Sequence, residues 1–311
     1  MARPSIRDVA DVSLELPADC HALEVSDPTA LVQVLGWLKA TSGSHHVLFR
    51  GQAALHDGSL APSGLRSPGG GVVGPKGLAS HNAEMTAYID ALWNAPCECA
   101  EVRRSFADGH LCTERSPGRG QTLMRGMRRA VTEPLLQHYG LRTRWVDLVD
   151  NVWVALWFAC HVYVSTDGGR FAYLRPRASE RGAFAYILVL DLGGLTPTEI
   201  PGYWLGPDTR LVDLRYAAPS NYVRPHAQHG LLVAPRGPLA PEEMRSVSTR
   251  VRAVIRIDLD LAREWLGEGR MVSSYVLFPP AVRDEGYRRL LRYAPEPPER
   301  LGAFTFVGPG H

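Results

Sequence analysis

Apolar positions recur at two periods along the chain, and the switch between them divides it. Ser26-Asp27-Pro28 reads as a helix start, because aspartate caps free N–H groups and proline suits the first helical position. Leu31, Val34, Leu35 and Leu38 follow at i, i+3, i+4 and i+7, predicting a helix that ends near Thr41-Ser42-Gly43. His45 to Phe49 reads as a short strand delivering Arg50 and Gly51 at its end. Two Gly/Pro clusters, Pro68-Gly69-Gly70-Gly71 and Gly74-Pro75-Lys76-Gly77, predict a flexible loop over 63–80. No Gly-Lys-Ser/Thr follows and no strand precedes them, which speaks against a phosphate-binding P-loop. Residues 81–95 and 121–138 pattern as helices packed on one another.

Val152 to Val162 is apolar on almost every face and follows a cap at Asp150 or Asn151, the mark of a buried helix. After Gly168-Gly169 the pattern becomes that of strands: 171–174, 186–190, 231–233 and 251–257 are aliphatic runs bounded by Gly, Pro and Asp. A late helix is expected over Val282 to Tyr293 and a last strand over Phe304 to Val307. No internal repeat is evident. Helices dominate the first half and strands the second. The expected class is α+β, a helical first half packed on a mainly antiparallel sheet, rather than a wound βαβ sheet. The expected organisation is one domain over 1–311, with its core at about 45–295.

Composition changes this picture little. The 311 residues are 45% apolar and 21% charged, enough for a sizeable core, and the net charge of +2 creates no overall field toward nucleic acid or lipid. The N-terminus lacks the apolar run of a secretory signal. The most apolar segment, Val152 to Val164, is interrupted by His161 and falls short of the ~20 residues a membrane helix needs. Five cysteines, an odd number, do not make a disulfide framework, so the cytoplasm is the expected compartment. Cys97, Cys99, His110 and Cys112 are four zinc-capable side chains in 16 positions. Cys-x-Cys is less usual than Cys-x₂-Cys in zinc sites, however, and free thiols with no bound metal are expected. No Ser–His–Asp elbow and no His-Glu-x-x-His is present, so hydrolases of those types find no support.

Several short blocks occur in a specific order. Phe49-Arg50-Gly51-Gln52 is followed by Leu60-Ala61-Pro62-Ser63 and Leu65-Arg66. Gln137-His138-Tyr139-Gly140-Leu141-Arg142-Thr143-Arg144-Trp145-Val146-Asp147 then leads into Asn151 to Ala159. Arg224-Pro225-His226-Ala227-Gln228-His229-Gly230 and Leu277-Phe278-Pro279-Pro280 come last. This ordered set resembles the FRG domain family, across about residues 45 to 295. Two departures are visible: Arg142 stands where the family usually has proline, and Trp145-Val146-Asp147-Leu148 where it has Leu-Leu-Asp-Trp. A second resemblance concerns layout. Arg50-Gly51 at a strand end, Asp147 before an apolar helix and Gln228 before a third strand are similar in order to ADP-ribosyltransferases of the arginine–serine–glutamate class. That resemblance implies an ADP-ribosyltransferase-like fold and NAD as substrate, although Gln228-His229-Gly230 offers no glutamate.

The residues carry their own chemistry beside these likenesses. Arg50 presents a planar fork suited to a diphosphate, and Gly51 beside it admits a ligand close to the backbone; alternatively Arg50 pairs with Asp147. Gly140 ends a helix, leaving His138 to move protons and Tyr139 to stack a nicotinamide or base, unless both are satisfied core residues. Arg144 and Asp147 share one side of an extended segment, as an ion pair or as part of the ligand surface. Gln228 can hold a ribose hydroxyl through its amide, or be satisfied by loop backbone. The expected site therefore has His138 and Gln228 in catalytic roles. Arg50, Gly51, Gln52, Tyr139, Arg144, Asp147 and Arg224 would bind the cofactor. Three functions follow: an NAD-consuming, ADP-ribosyltransferase-like enzyme, acting as a bacterial toxin or phage-defence effector; a nucleotide- or nucleic-acid-binding module without turnover; or a metal-independent nuclease using His138 and Arg50. In the first, the partners are a nucleotide substrate, a protein or nucleic-acid acceptor and an antitoxin or defence-system component.

Overall fold

The computed structural model describes residues 5–9, 16–56, 60–66, 73–95, 127–166, 171–178, 182–237, 246–267 and 269–309. Strands β1 (Ile6–Asp8) and β2 (His21–Val25) pair antiparallel. Asp27 accepts from the Thr29 and Ala30 N–H groups and starts α1 (Pro28–Ser42), which ends at left-handed Gly43, as its sequence dictates. Strand β3 (Val47–Gln52) runs past the predicted end at Phe49, so Arg50, Gly51 and Gln52 are strand residues. Helix α2 (Pro75–Asn94) begins inside the segment expected to be a loop, and Ser63–Leu65 form a 3₁₀ turn within it. Gly74-Pro75 is a helix start here, because proline's missing N–H costs nothing in a first turn.

Helix α3 (Arg129–His138) leads to β4 (Val146–Val149) and, after an Asn151 cap, to α4 (Val152–Ala159). The helix expected to reach Val162 stops at Ala159, and β5 (His161–Thr166) follows with β6 (Phe171–Pro176) and β7 (Phe184–Asp191). A continuous apolar run fits a buried helix and a strand equally well, and pairing of β5 with β6 decides it. Strands β8 (Thr196–Pro197), β9 (Tyr203–Leu205) and β10 (Thr209–Asp213) precede α5 (Leu214–Ala217) and α6 (Val223–Ala227). Next come β11 (Gly230–Pro235), β12 (Val251–Asp258), α7 (Leu259–Trp265) and α8 (Ser274–Leu277). The last elements are α9 (Glu285–Tyr293) and β13 (Phe306–Pro309). Helix α9 starts later than predicted, because Asp284 accepts from the Tyr287 N–H and sets the boundary.

Among the described residues ten strands form one sheet in the order β1-β2-β12-β7-β3-β4-β11-β10-β9-β8, antiparallel except for the β2–β12 pair. Strands β5, β6 and β13 form a second, small sheet. The class is α+β with a large, mainly antiparallel sheet. Helices and strands are not split between halves, however: β3 and β4, from the first half, lie at the centre of the large sheet. The alternation of β3 explains its place. Val47 and Phe49 enter the core shared with α1 and α4, while Leu48 joins Leu188, Leu190 and Val254 in a second core. Among the described residues no helix is long and apolar enough to cross a membrane.

Candidate functional site

Strands β3 and β4 meet at a single register pair, Phe49 with Val149, while β3 continues beside β7 as far as Gln52. The strands part beyond that pair, and the Asp147 carbonyl on the β3 side of β4 needs a donor. Arg50 supplies it, donating from Nη1 at 2.8 Å. The guanidinium is thus held by the backbone of Asp147 rather than by its carboxylate, which remains half-exposed. Burial lowers the Arg50 pKa, opposed by Asp147, with Arg66 acting in the same sense as burial. Arg66, a motif residue given no role from sequence, is drawn to the same carboxylate and anchors its Nε on the Ala61 carbonyl.

The end of α3 brings the chemistry beside these arginines. Gln137 donates to Asp147 Oδ2 at 2.6 Å, and the Thr143 hydroxyl donates to Gln137 Oε1, so the carboxylate is aimed. Gln228 donates its amide N–H to the Leu277 carbonyl at 2.9 Å, which turns Oε1 toward His138 Nδ1, 3.1 Å away. An amide oxygen only accepts, so the His138 proton sits on Nδ1 and Nε2 carries a lone pair. Burial pushes the His138 pKa below its ordinary 6.5, which keeps the ring neutral; Asp147 pulls the other way. His138 Nε2 lies 3.9 Å from Asp147 Oδ1, too far for a hydrogen bond and suited to a shared donor between them. Gln228 is therefore a positioning residue, with both ends of its amide engaged, rather than a free catalytic group.

A cavity of about 720 Å³ opens onto this cluster. Of the predicted residues it is lined by Arg50, Gly51, His138, Asp147, Arg224 and Gln228. Gln52, Tyr139 and Arg144 are not among its lining residues. Tyr139 is fully buried, donates its hydroxyl to Asp284 at 2.7 Å and stacks on Tyr287, so its ring is not available to nicotinamide. Arg144 donates from Nε to both carboxylate oxygens of Glu133 rather than to Asp147. Gly51 is glycine because α4 crosses it: an added Cβ would lie 1.8 Å from the Ala155 carbonyl oxygen. That close approach is made by a helix, not by a ligand. Arg224, 1% exposed, packs on Tyr139, Phe278 and Tyr287 and donates to the His138 carbonyl at 2.7 Å, so it braces the site from below. The candidate zinc residues Cys97, Cys99, His110 and Cys112 lie outside the described residues.

Among the described residues four arginines line the cavity, Arg50, Arg66, Arg142 and Arg224, against two carboxylates, Asp147 and Glu299, which favours an anionic ligand. Three buried nitrogens at its wall, Arg50 Nε, His138 Nε2 and Arg224 Nε, have no hydrogen-bond partner among the described residues. Unsatisfied buried polar atoms of this kind are costly, and their gathering at one cavity points to a polar ligand.

The buried imidazoles give a stability prediction. Burial lowers the pKa of His81, His138 and His161 below 6.5. The unfolded chain then binds protons that the folded one refuses, so stability is full above pH 6.5 and falls as pH drops through the folded-state values. Melting temperatures across pH 5 to 8 should be level above about pH 7 and decline below about 6.5. A flat profile down to pH 5 would contradict the neutral state assigned to these rings.

No curated protein and no solved structure matches the chain. The FRG domain model matches residues 45–167, so this stretch, which holds Arg50, Arg66, His138 and Asp147 but not Arg224 or Gln228, is similar to an FRG domain.

Proposed function

We propose that the cavity binds NAD and cleaves its nicotinamide–ribose bond, in an ADP-ribosyltransferase-like reaction that passes the ADP-ribosyl group to water or to an acceptor. The observation that carries this reading is the pair formed by Asp147 Oδ1 and His138 Nε2, 3.9 Å apart beside two arginines. Each has a task. Arg50 and Arg66 take the diphosphate. Asp147 sets a negative charge beside the ribosyl cation that develops as the C1′–N bond breaks, its electron pair leaving with nicotinamide. The nucleophile oxygen bonds to C1′ and gives its proton to His138 Nε2.

Proton bookkeeping favours this reaction over a metal-independent nuclease. A phosphodiester's leaving alkoxide needs a proton, and the two imidazoles that line the cavity among the described residues, His138 and His161, are both pushed toward neutrality by burial. Nicotinamide leaves NAD as a neutral molecule and needs no acid. A toxin or phage-defence role, a protein or nucleic-acid acceptor and an antitoxin partner are the setting in which such NAD consumption fits.

Incubating the purified chain with NAD and measuring free nicotinamide tests the reading. Release should occur and should fall tenfold to a hundredfold in Arg50→Lys, because lysine keeps the charge but loses the fork, a loss of about 1–3 kcal/mol. A nucleotide-binding module without turnover is the second reading, favoured by the full engagement of Gln228. NAD binding with no nicotinamide released would select it.

A further inference from the structure

One wall of the cavity comes from the small sheet, which the proposed chemistry leaves unused. Along β5, His161, Tyr163 and Ser165 line the cavity at alternate positions, so a single face of the strand is turned to it. Leu174, opposite Tyr163 on β6, and Val307 on β13 continue that face. Tyr163 is 54% exposed, a large aromatic side chain left open on a concave surface whose neighbours Leu174 and Ala172 are buried. His161 is held differently. Its ring stacks on Trp157 with centroids 3.9 Å apart, and its Nδ1 lies 2.6 Å from the Trp157 carbonyl oxygen. A carbonyl only accepts, so the proton is on Nδ1, and Nε2 of the neutral ring is an acceptor.

We infer that this sheet face is a ring-binding subsite, where Tyr163 stacks a planar heteroaromatic ring of the nucleotide and His161 Nε2 accepts from an exocyclic amino or amide N–H of that ring. The inference rests on the phosphate-binding role given to Arg50 and Arg66 only for the direction in which the ligand lies. It replaces Tyr139, which is buried, as the stacking residue. The wall accounts for selectivity as well: an apolar floor with one aromatic face and one lone pair accepts an amino-bearing ring and disfavours one that presents a carbonyl there.

Binding of ADP, nicotinamide mononucleotide and inorganic pyrophosphate to the full chain, by calorimetry, tests it. Tyr163 is exposed, so its replacement leaves the fold intact, as a melting curve will verify. Tyr163→Ala should weaken ADP or nicotinamide mononucleotide, whichever ring occupies the wall, by tenfold to a hundredfold, as loss of ring stacking does. Pyrophosphate affinity should not change, and Tyr163→Phe should restore the ring-bearing ligand. Replacing the amino group of the responsive ligand by oxygen, with inosine diphosphate or nicotinic acid mononucleotide, should also weaken it. Unchanged affinity for both ring-bearing ligands in Tyr163→Ala overturns the subsite while leaving the phosphate site standing. Ring-bearing ligands that bind while pyrophosphate does not would instead overturn the arginine assignment and keep the wall. Binding of none of the three overturns both.

Discussion

Replacing Asp147 with Asn is expected to lower nicotinamide release by about 10²–10³-fold, the size of loss seen when one group aimed at transition-state charge is removed. The fold should barely notice. The contact that joins Asp147 to Arg50 is made by the Asp147 backbone carbonyl, which the substitution keeps. Gln137 donates to Oδ2, and an asparagine oxygen in the same place accepts that bond equally well. Arg50 and Arg66 lose the 45% exposed carboxylate that opposes their burial, but Arg50 keeps its bond to the Asp147 carbonyl and Arg66 its bond to the Ala61 carbonyl. What disappears is the negative charge 3.9 Å from His138 Nε2. Nicotinamide release and melting temperature, measured on the same protein, separate the outcomes. Release at the wild-type rate in a well-folded Asp147→Asn chain would remove Asp147 from the chemistry. Release that falls only in proportion to a lowered melting temperature would make the carboxylate structural.

The parts of this site that could be read from sequence are those with local punctuation. Arg50 precedes a glycine, His138 ends a helix, and Gln228 stands before a strand; each is marked by a change of period or a turn residue within a few positions. That Arg50, His138, Asp147 and Gln228 meet follows from the strand order β7-β3-β4-β11, in which neighbours are far apart in sequence. Period and turn signals are local and do not specify that order. Arg144 shows the limit at short range. Asp147, three residues away, was the natural partner on an extended segment, yet Glu133 in the preceding helix is buried at 4% exposure and needs a cation.

Tyr139 and Tyr163 are hard to place from sequence for a related reason. A tyrosine beside a glycine at a helix exit looks available, but Asp284, 145 positions later, holds its hydroxyl in the core. Tyr163 was hidden in a run that reads as one apolar helix from Val152. Only the return of β5 alongside β6 shows that its side chains alternate and that one face is open. Burial and apolarity predict that such a segment is inside; they do not say which backbone period it takes. Arg66 had a local signal, its place in the block that begins at Leu60, and was missed because no chemistry attaches to an isolated arginine until a carboxylate is placed beside it.

Gly51 separates a ligand-driven from a packing-driven account of the same motif, and Gly51→Ala is expected to destabilise the chain by about 3 kcal/mol or more. The added Cβ would sit 1.8 Å from the Ala155 carbonyl oxygen, 2.7 Å from its carbon and 3.0 Å from the Ala159 nitrogen, all main-chain atoms of α4 or its end. A side chain can swing aside; a helix backbone pinned by Ala155, Leu156 and Trp157, each no more than 1% exposed, cannot. Relief would require α4 to lift from β3 and open the core that Phe49, Val189 and Ile255 share with it. Gly36 provides the control. It lies inside α1 with nothing within 4 Å of an added Cβ, so Gly36→Ala should stabilise the chain by about 0.8–1.0 kcal/mol. Denaturant midpoints should therefore move in opposite directions for the two glycine-to-alanine changes. If glycine were needed at position 51 to admit a diphosphate, Gly51→Ala would fold normally and lose only ligand affinity. A wild-type midpoint in Gly51→Ala would thus return this motif to the ligand.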